Sequence, residues 1–210
     1  MNQTLPTRPA YRIETAGLVI RCWEPKDALL LNAALRVSWE HLSPWMPWAR
    51  GECPAVEDTA ALLRRWRGQF DLDQDYVYGI LNKDETLALG SSGLHTRRGP
   101  GIREIGYWIH ANHINKGYAT EVAEALTKVA FEIDAVRLVE IQCLTNNVRS
   151  AAVPRKLGYT HEATLTRRIP TGDESFGDAM IWTMLADAYP DSRAARIELR
   201  AFDAMGQELL

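Results

Sequence analysis

Apolar residues recur along the chain with two periods, one typical of strands and the other of helices. Alternating or short apolar runs predict strands at LVIR, YVYGIL, LALGSSGLH, EIGYWIH, RLVEIQCL, THEATLTR and AMIWTML. Polar segments separate them, among them NKDET in a predicted hairpin and PTGDESFGD before the last strand. In RLVEIQCL, apolar Val139, Ile141 and Cys143 alternate with Glu140 and Gln142, which indicates a half-buried strand.

Four other segments have the three-to-four spacing of amphipathic helices. The first begins at Pro25, and a second apolar stripe covers residues 56–70. The clearest pattern spans residues 119–133. The stretch TNNVRSAAVPRKLGY predicts a short helix with an Asn cap and an end at Gly158. These helices and the strands predict an α/β (α+β) fold with a mixed sheet.

The pattern predicts one domain over residues 18–190, because neither an internal repeat nor a linker separates two cores. Residues 1–17 form an N-terminal extension in this interpretation. Residues 191–210 form a tail, predicted as helical, for which the sequence indicates no packing neighbour.

Composition excludes several classes of protein. Hydrophobic residues make up 46% of the 210 positions and charged residues 24%, which is typical of a folded globular chain. No apolar run reaches the roughly 20 residues of a membrane helix, and the start MNQTLPTRPAYR lacks a signal peptide. A net charge of -3 gives no general attraction to nucleic acid or anionic lipid. We therefore expect neither nucleic acid nor membrane as a partner.

The cysteines and histidines favour a reducing compartment and no metal. Cys22, Cys53 and Cys143 are widely spaced and include no CxxC pair, so we expect a cytoplasmic protein without disulfides. Of the five histidines, at positions 41, 95, 110, 113 and 161, only His110 and His113 are close in sequence. No carboxylate or cysteine completes a ligand set around them.

The segment INKGYAT lies between a predicted strand and the clearest helix. The first turn of a helix presents unpaired amide groups, Gly117 permits close approach, and Lys116 adds positive charge, so an anion could bind there. The alternative is an ordinary glycine turn before a helix. Neither the ATP-binding pattern GxxxxGK[ST] nor the dinucleotide pattern GxGxxG is present.

The order EIGYWIH, INKGYATEVAEAL, RLVEIQCL and NNVRSAAVPRKLGY resembles the GNAT superfamily of acyl-CoA-dependent N-acetyltransferases. The upstream LVIRCWEPKDA and LSPWMPW and the late AMIWTMLADAYP are similar to its RimJ/RimL branch of ribosomal-protein-alanine acetyltransferases. This resemblance covers residues 18–190. It implies a mixed, mostly antiparallel sheet of about seven strands with helices on both faces.

The resemblance implies that acetyl-CoA is the co-substrate and that no metal takes part. The superfamily's Q/R-x-x-G-x-G/A loop aligns with residues 114–119, where Ile114 replaces the usual Gln or Arg. The implied main-chain cradle for the CoA phosphates consists of Asn115, Lys116, Gly117, Tyr118, Ala119 and Thr120. Asn147 and Ser150 of the next helix are expected along the pantetheine arm and near the thioester sulfur.

Acyl transfer to an amine needs a proton acceptor, a donor to the carbonyl oxygen and a partner for the thiolate. Glu104 and Glu162 occupy positions where related enzymes carry a carboxylate base. Amides around Trp108 and Ile109, splayed by a predicted bulge near Gly106, would polarise the carbonyl.

We expect Ser150 to face the thiolate. For these side chains the alternatives are solvated strand-end carboxylates at Glu104 and Glu162, and a surface or capping serine at Ser150.

The broken loop WEHLSPWMPW concentrates Trp39, Trp45 and Trp48. Tryptophans on a loop can form the walls of an acceptor pocket, although core packing or a dimer contact are alternatives.

The leading interpretation is an N-acetyltransferase that moves the acetyl group from acetyl-CoA to a primary amine, without a covalent enzyme intermediate. The acceptor is a protein N-terminus or a small molecule. A non-catalytic acyl-CoA-binding sensor or scaffold is the alternative, and a homodimer is compatible with the resemblance.

Overall fold

The computed structural model describes residues 9–172 and 175–210, and their strands form one sheet in the order β7-β8-β6-β5-β4-β3-β2-β1-β9. Neighbouring strands are antiparallel except β5 and β6, which are parallel. The strands are β1 Arg12–Glu14, β2 Val19–Cys22, β3 Tyr76–Leu81, β4 Ala88–His95, β5 Ile102–Ile109, β6 Leu138–Leu144, β7 Thr160–Gly172, β8 Ser175–Leu185 and β9 Arg200–Phe202.

Helices cover both faces of this sheet, as predicted. They are α1 Ala28–Leu42, α2 Val56–Asp71, α3 Tyr118–Glu132 and α4 Val148–Leu157. Side chains alternate across each strand, so Val77 belongs to the core that contains residues of α1, whereas Tyr78 belongs to the core that contains residues of α3 and the end of α2. The sheet is therefore buried on two sides and has two apolar cores.

The parallel pair β5 and β6 stays together over only part of its length. Residues 102–105 pair with residues 138–141, and both strands then continue without pairing to each other. The bulge predicted near Gly106 is wrong, because Gly106 pairs in register with Gly93 of β4. The opening on this side of β5 comes from the divergence of two parallel strands, whereas β4 is irregular in its pairing with β3, between Ile80 and Leu81.

The predicted helical tail is also wrong. After β8 the chain forms two short 3-10 turns, at residues 189–191 and 194–196, and then β9 pairs with β1. Residues 12–14 of the predicted N-terminal extension supply β1. The sheet therefore has nine described strands rather than about seven, since a segment from each end of the chain joins it.

The other predicted elements are present with shifts of a few residues at their ends. Asn147 caps α4 by accepting a hydrogen bond from the amide of Ser150 (3.1 Å), and Gly158 ends the helix with a left-handed φ of 84°. The predicted turn PTGDESFGD is shorter, because β7 extends to Gly172 and β8 begins at Ser175. Positions 173 and 174 of that turn lie outside the described residues.

Two leucines of α1 provide a test of which face the helix buries. Leu31 is 1% exposed in the core beneath α1, whereas Leu29 is 71% exposed. We expect Leu31→Ala to lower the free energy of unfolding by about 2–5 kcal/mol, because it leaves a cavity, and Leu29→Ala by less than about 0.5 kcal/mol. Urea unfolding of both variants measures the difference. Equal losses would show that α1 is oriented differently.

Candidate functional site

A cavity of about 450 Å³ opens where β5 and β6 separate. Its walls come from the end of α1, the end of β5, the loop before α3 and the first turns of α4. The divergence of the strands exposes backbone there that would be covered in a continuous sheet. This cavity is called the cofactor cavity below.

The loop before α3 forms one end of the cofactor cavity. Asn115 and Gly117 have left-handed φ values of 61° and 88°, so the chain turns sharply into the helix. The amide groups of residues 116–119 donate to no other group among the described residues. A turn with unpaired amides at a helix N-terminus is a site for an anion such as a pyrophosphate.

The structure separates Lys116 from the rest of this predicted cradle. Asn115, Gly117, Tyr118, Ala119 and Thr120 line the cofactor cavity, as does Ile114, but Lys116 does not. The Lys116 Nζ lies 3.4 Å from Nδ1 of His113 on the exposed side of the loop. Any phosphate contact in this loop therefore depends mainly on the backbone.

Trp108 and Ile109 both line the cofactor cavity, but their amides point in opposite directions. The amide of His110 donates to the carbonyl of Leu89 in β4 (2.8 Å). Because amides alternate along a strand, the amide of Trp108 also faces β4, whereas that of Ile109 faces the gap beside β6. Of the two amides predicted to donate to the thioester carbonyl, only the amide of Ile109 therefore faces the gap.

A second cavity, of about 240 Å³, continues through the gap to the face of the sheet that carries α1 and α2. This acceptor cavity includes Arg97, Glu104, Gly106 and Gln142. The two cavities share five residues, which are Trp45, Met46, Tyr107, Asn147 and Ser150. These five residues therefore form the boundary between the two cavities.

Ser150 lies at the junction of the two cavities, on the first turn of α4. Its hydroxyl is 3.3 Å from the hydroxyl of Tyr107, which also donates to the Ser150 carbonyl (3.2 Å). Burial raises the pKa of Tyr107 far above its ordinary value, so this phenol stays protonated. The sequence interpretation did not identify Tyr107, because nothing local distinguishes it from a core aromatic residue.

Glu104 is only 6% exposed and lies within an ion-pair network. Arg97 donates to both of its carboxylate oxygens, and Arg98 Nε lies 2.7 Å from Oε2 and 3.0 Å from Glu140 Oε1. Burial alone would raise the pKa of Glu104, but the Arg97 hydrogen bonds and the two positive charges outweigh it and lower that pKa. The carboxylate is therefore a weak proton acceptor that anchors two arginines.

Glu162 lies apart from both cavities. It is exposed on β7, at a bulge where His161 and Ala163 pair with successive residues of β8. Neither cavity includes it among its lining residues. The role of Glu162 as a base stays a prediction that the geometry does not favour.

The three tryptophans have different positions, and Trp39 belongs to α1 rather than to the predicted loop. Trp45 lines both cavities, whereas Trp39 and Trp48 line neither. Trp48 packs edge to face between Trp39 and Trp108, with ring-centre distances of 6.0 and 6.3 Å. A direct acceptor contact therefore stays a prediction for Trp45, while the other two support the loop that carries it.

Residues 9–172 and 175–210 contain neither a cluster of metal-binding side chains nor a membrane-spanning helix. No group of three or more His, Cys, Asp or Glu side chains there is arranged to hold a metal ion. No helix in that part of the chain is both long and apolar enough to cross a membrane.

Comparison with known proteins agrees with this geometry. Residues 17–160 match the family model described as an acetyltransferase (GNAT) domain. The chain is 30% identical over 146 residues to the putative ribosomal N-acetyltransferase YdaF of Bacillus subtilis, which covers 69% of this chain and 79% of that protein.

Solved structures show the same fold at low identity. RimJ of Mycobacterium smegmatis in complex with CoA-disulfide is 21% identical and superposes with a TM-score of 0.78, covering 89% of this chain and 91% of that one. The microcin C7 self-immunity acetyltransferase MccE, in complex with acetyl-CoA and AMP, is 17% identical with a TM-score of 0.75, covering 81% and 93%. From the family match, this chain belongs to the GNAT acetyltransferases and is an acyl-CoA-dependent N-acetyltransferase.

Proposed function

We propose that this N-acetyltransferase transfers the acetyl group of acetyl-CoA directly to a primary amine within a ternary complex. The observation that carries the proposal is the meeting of two cavities at Ser150 and Tyr107, in the gap between β5 and β6. One cavity has an anion-binding helix start, and the other opens to the opposite face of the sheet. Two substrates can thus approach from different sides and react where the cavities join.

The main chain of residues 115–120 would hold the CoA pyrophosphate in this proposal. Unpaired amides and the positive end of α3 supply the attraction, and small Ala119 leaves space for the phosphates. The pantetheine arm would extend from there past Ile109 and Asn147 towards Ser150. Acetyl-CoA supplies the activated acyl group, and the protein supplies position and hydrogen bonds.

Two groups at the junction suit the change of charge during transfer. The amide of Ile109 faces the gap, where it can donate to the thioester oxygen as negative charge develops. The hydroxyl of Ser150 would donate to the departing sulfur, while the neutral Tyr107 hydroxyl donates to the Ser150 carbonyl and so holds the first turn of α4 in place.

The acceptor in this proposal is a protein N-terminal amine or a small molecule with a primary amine. The names of two relatives support both classes, since YdaF is named as a putative ribosomal N-acetyltransferase and MccE as a microcin C7 self-immunity acetyltransferase. The chain would act in the cytoplasm, as its cysteine usage predicts. A homodimer stays a proposal, for which size-exclusion chromatography with light scattering is the test.

An acceptor screen with mass detection tests the function. Acetyl-CoA is incubated with the protein and a panel of N-terminal peptides and small amines, and acetylated products and free CoA are measured together. We expect at least one amine to gain an acetyl group with equal release of CoA. CoA binding without transfer to any amine would instead indicate a sensor or scaffold.

A pair of substitutions tests the main-chain cradle. We expect Ala119→Leu to weaken CoA binding at least about tenfold, because the larger side chain fills the space beside the helix start. Lys116→Ala should weaken it less than about threefold, since Lys116 is not among the residues that line the cavity. Calorimetric titration with CoA measures both affinities. The reverse order would assign phosphate binding to the lysine.

Ser150→Ala tests the proposed hydroxyl donor. We expect kcat to decrease about ten- to a hundredfold, because the thiolate loses its donor. The CoA Kd should stay within about threefold, since the Ser150 amide still bonds to Asn147 and keeps the cap of α4. Steady-state kinetics with the best acceptor measure kcat. A kcat equal to that of the unsubstituted protein would show that the thiolate departs without this hydroxyl.

A further inference from the structure

A histidine and an aspartate form a hydrogen-bonded pair beside the acceptor cavity. His95 is the last residue of β4 and pairs across the sheet with Glu104. Its Nδ1 lies 2.8 Å from Oδ2 of Asp75, in the loop before β3. The other Asp75 oxygen accepts the amide of Thr96 at 3.2 Å. The aspartate is thus held from two sides and in turn fixes the imidazole.

Two glycines make room for the imidazole ring. Gly93 and Gly106 pair with each other on the same face of the sheet. A Cβ at Gly93 would lie 2.7 Å from Cε1 and Nε2 of His95, and a Cβ at Gly106 would lie 3.5 Å from Nε2. The ring therefore lies over the glycine pair, and Nε2 and Cδ2 are its atoms nearest to Gly106. The ring thus lies next to Gly106, which lines the acceptor cavity, although His95 itself is not among the lining residues.

The pair leaves one ring nitrogen available. Burial would raise the pKa of Asp75, but its hydrogen bond and attraction to His95 outweigh burial and lower that pKa. An ionised Asp75 can only accept, so Nδ1 of His95 carries the hydrogen of this bond, and Nε2 is the ring nitrogen left to accept a proton whenever the imidazole is neutral. Among the described residues, Trp182 Nε1 is the only fully buried side-chain nitrogen or oxygen without a hydrogen-bond partner, so Nε2 of His95, which also lacks one, is not fully buried.

Resting on the proposed function, we propose that His95, oriented by Asp75, accepts the proton that the acceptor ammonium must lose before it attacks. The amine enters the acceptor cavity as an ammonium ion and transfers one proton to Nε2. Its nitrogen then bonds to the thioester carbon, and the carbon–sulfur bond breaks. The second proton passes from nitrogen to the departing sulfur through Ser150. His95 releases its proton to solvent, so the reaction yields an amide, CoA thiol and one proton.

The charged neighbours of His95 explain why an imidazole suits this place better than the carboxylates. Asp75 bonds to Nδ1 of the ring, Glu104 pairs with His95 across the sheet, and Arg97 bonds to Glu104. Glu104 is occupied by Arg97 and Arg98, and Glu162 lies outside the cavity. An imidazole titrates near neutral pH, where a general base is most effective.

The test compares variants of His95 with acceptors of different basicity. His95→Asn removes the base, while its amide nitrogen can still donate to Asp75. We expect kcat/KM at neutral pH to decrease about a hundredfold with an alkyl amine. With the hydrazide of the same acceptor, which is unprotonated at neutral pH, the decrease should be less than about tenfold. Added imidazole should restore part of the alkyl-amine rate.

The pH profile gives a second signature. Removal of the Asp75 charge in Asp75→Asn disfavours the protonated imidazole, so the acid limb of kcat/KM should move to lower pH than in the unsubstituted protein. Thermal unfolding and CoA affinity, measured for each variant, identify any that fail to fold. If His95→Asn fails to fold, the test relies on Asp75→Asn and on the comparison of alkyl amine with hydrazide in the unsubstituted protein.

Several results would overturn the inference. Equal losses with the alkyl amine and the hydrazide would show that His95 only supports the structure. An acid limb that is lost in Glu162→Gln and kept in His95→Asn would assign the base to Glu162. Failure of the unsubstituted protein to acetylate any amine would contradict the proposed function itself, whereas normal activity of His95→Asn contradicts only this inference.

Discussion

The separation of β5 from β6 is the constraint on which the whole site depends. These two strands are the only parallel neighbours in the described sheet, and they pair over residues 102–105 and 138–141 alone. Beyond that point the right-handed twist of each strand is no longer matched by a ladder of hydrogen bonds. The resulting gap brings a backbone amide, a helix start and two hydroxyls around one volume. A sheet paired to its end would leave no path between its faces.

Charge at this gap is arranged to be nearly neutral. Glu104 and Glu140 are balanced by Arg97 and Arg98, so burial of Glu104 does not leave an uncompensated carboxylate. The network forms part of the wall of the acceptor cavity. Its members are committed to one another, which leaves proton transfer to groups outside the network. The same ion pairs that stabilise the wall thus remove the most obvious base from use.

Patterns of adjacent residues predicted many elements of this fold. They could not predict contacts between residues that are far apart in the sequence. The loop at Gly117 was predictable because a glycine turn and the first turn of a helix are properties of adjacent residues. The contact between Tyr107 and Ser150 joins positions 43 apart, and the pair of Asp75 and His95 joins positions 20 apart. No periodicity encodes such contacts. The direction of Lys116 likewise depends on where its neighbours lie in space.

The strand β9, near the end of the chain, was also not predictable from adjacent residues. Residues 200–202 form a strand only because β1 offers an unpaired edge, and three residues carry too little pattern to predict it. This pairing joins the first described strand to the last one. During synthesis the edge of β1 therefore has no partner until β9 has been made, after every other strand. A nascent chain would carry that open edge throughout translation, at the stage when it is most prone to pair with another polypeptide.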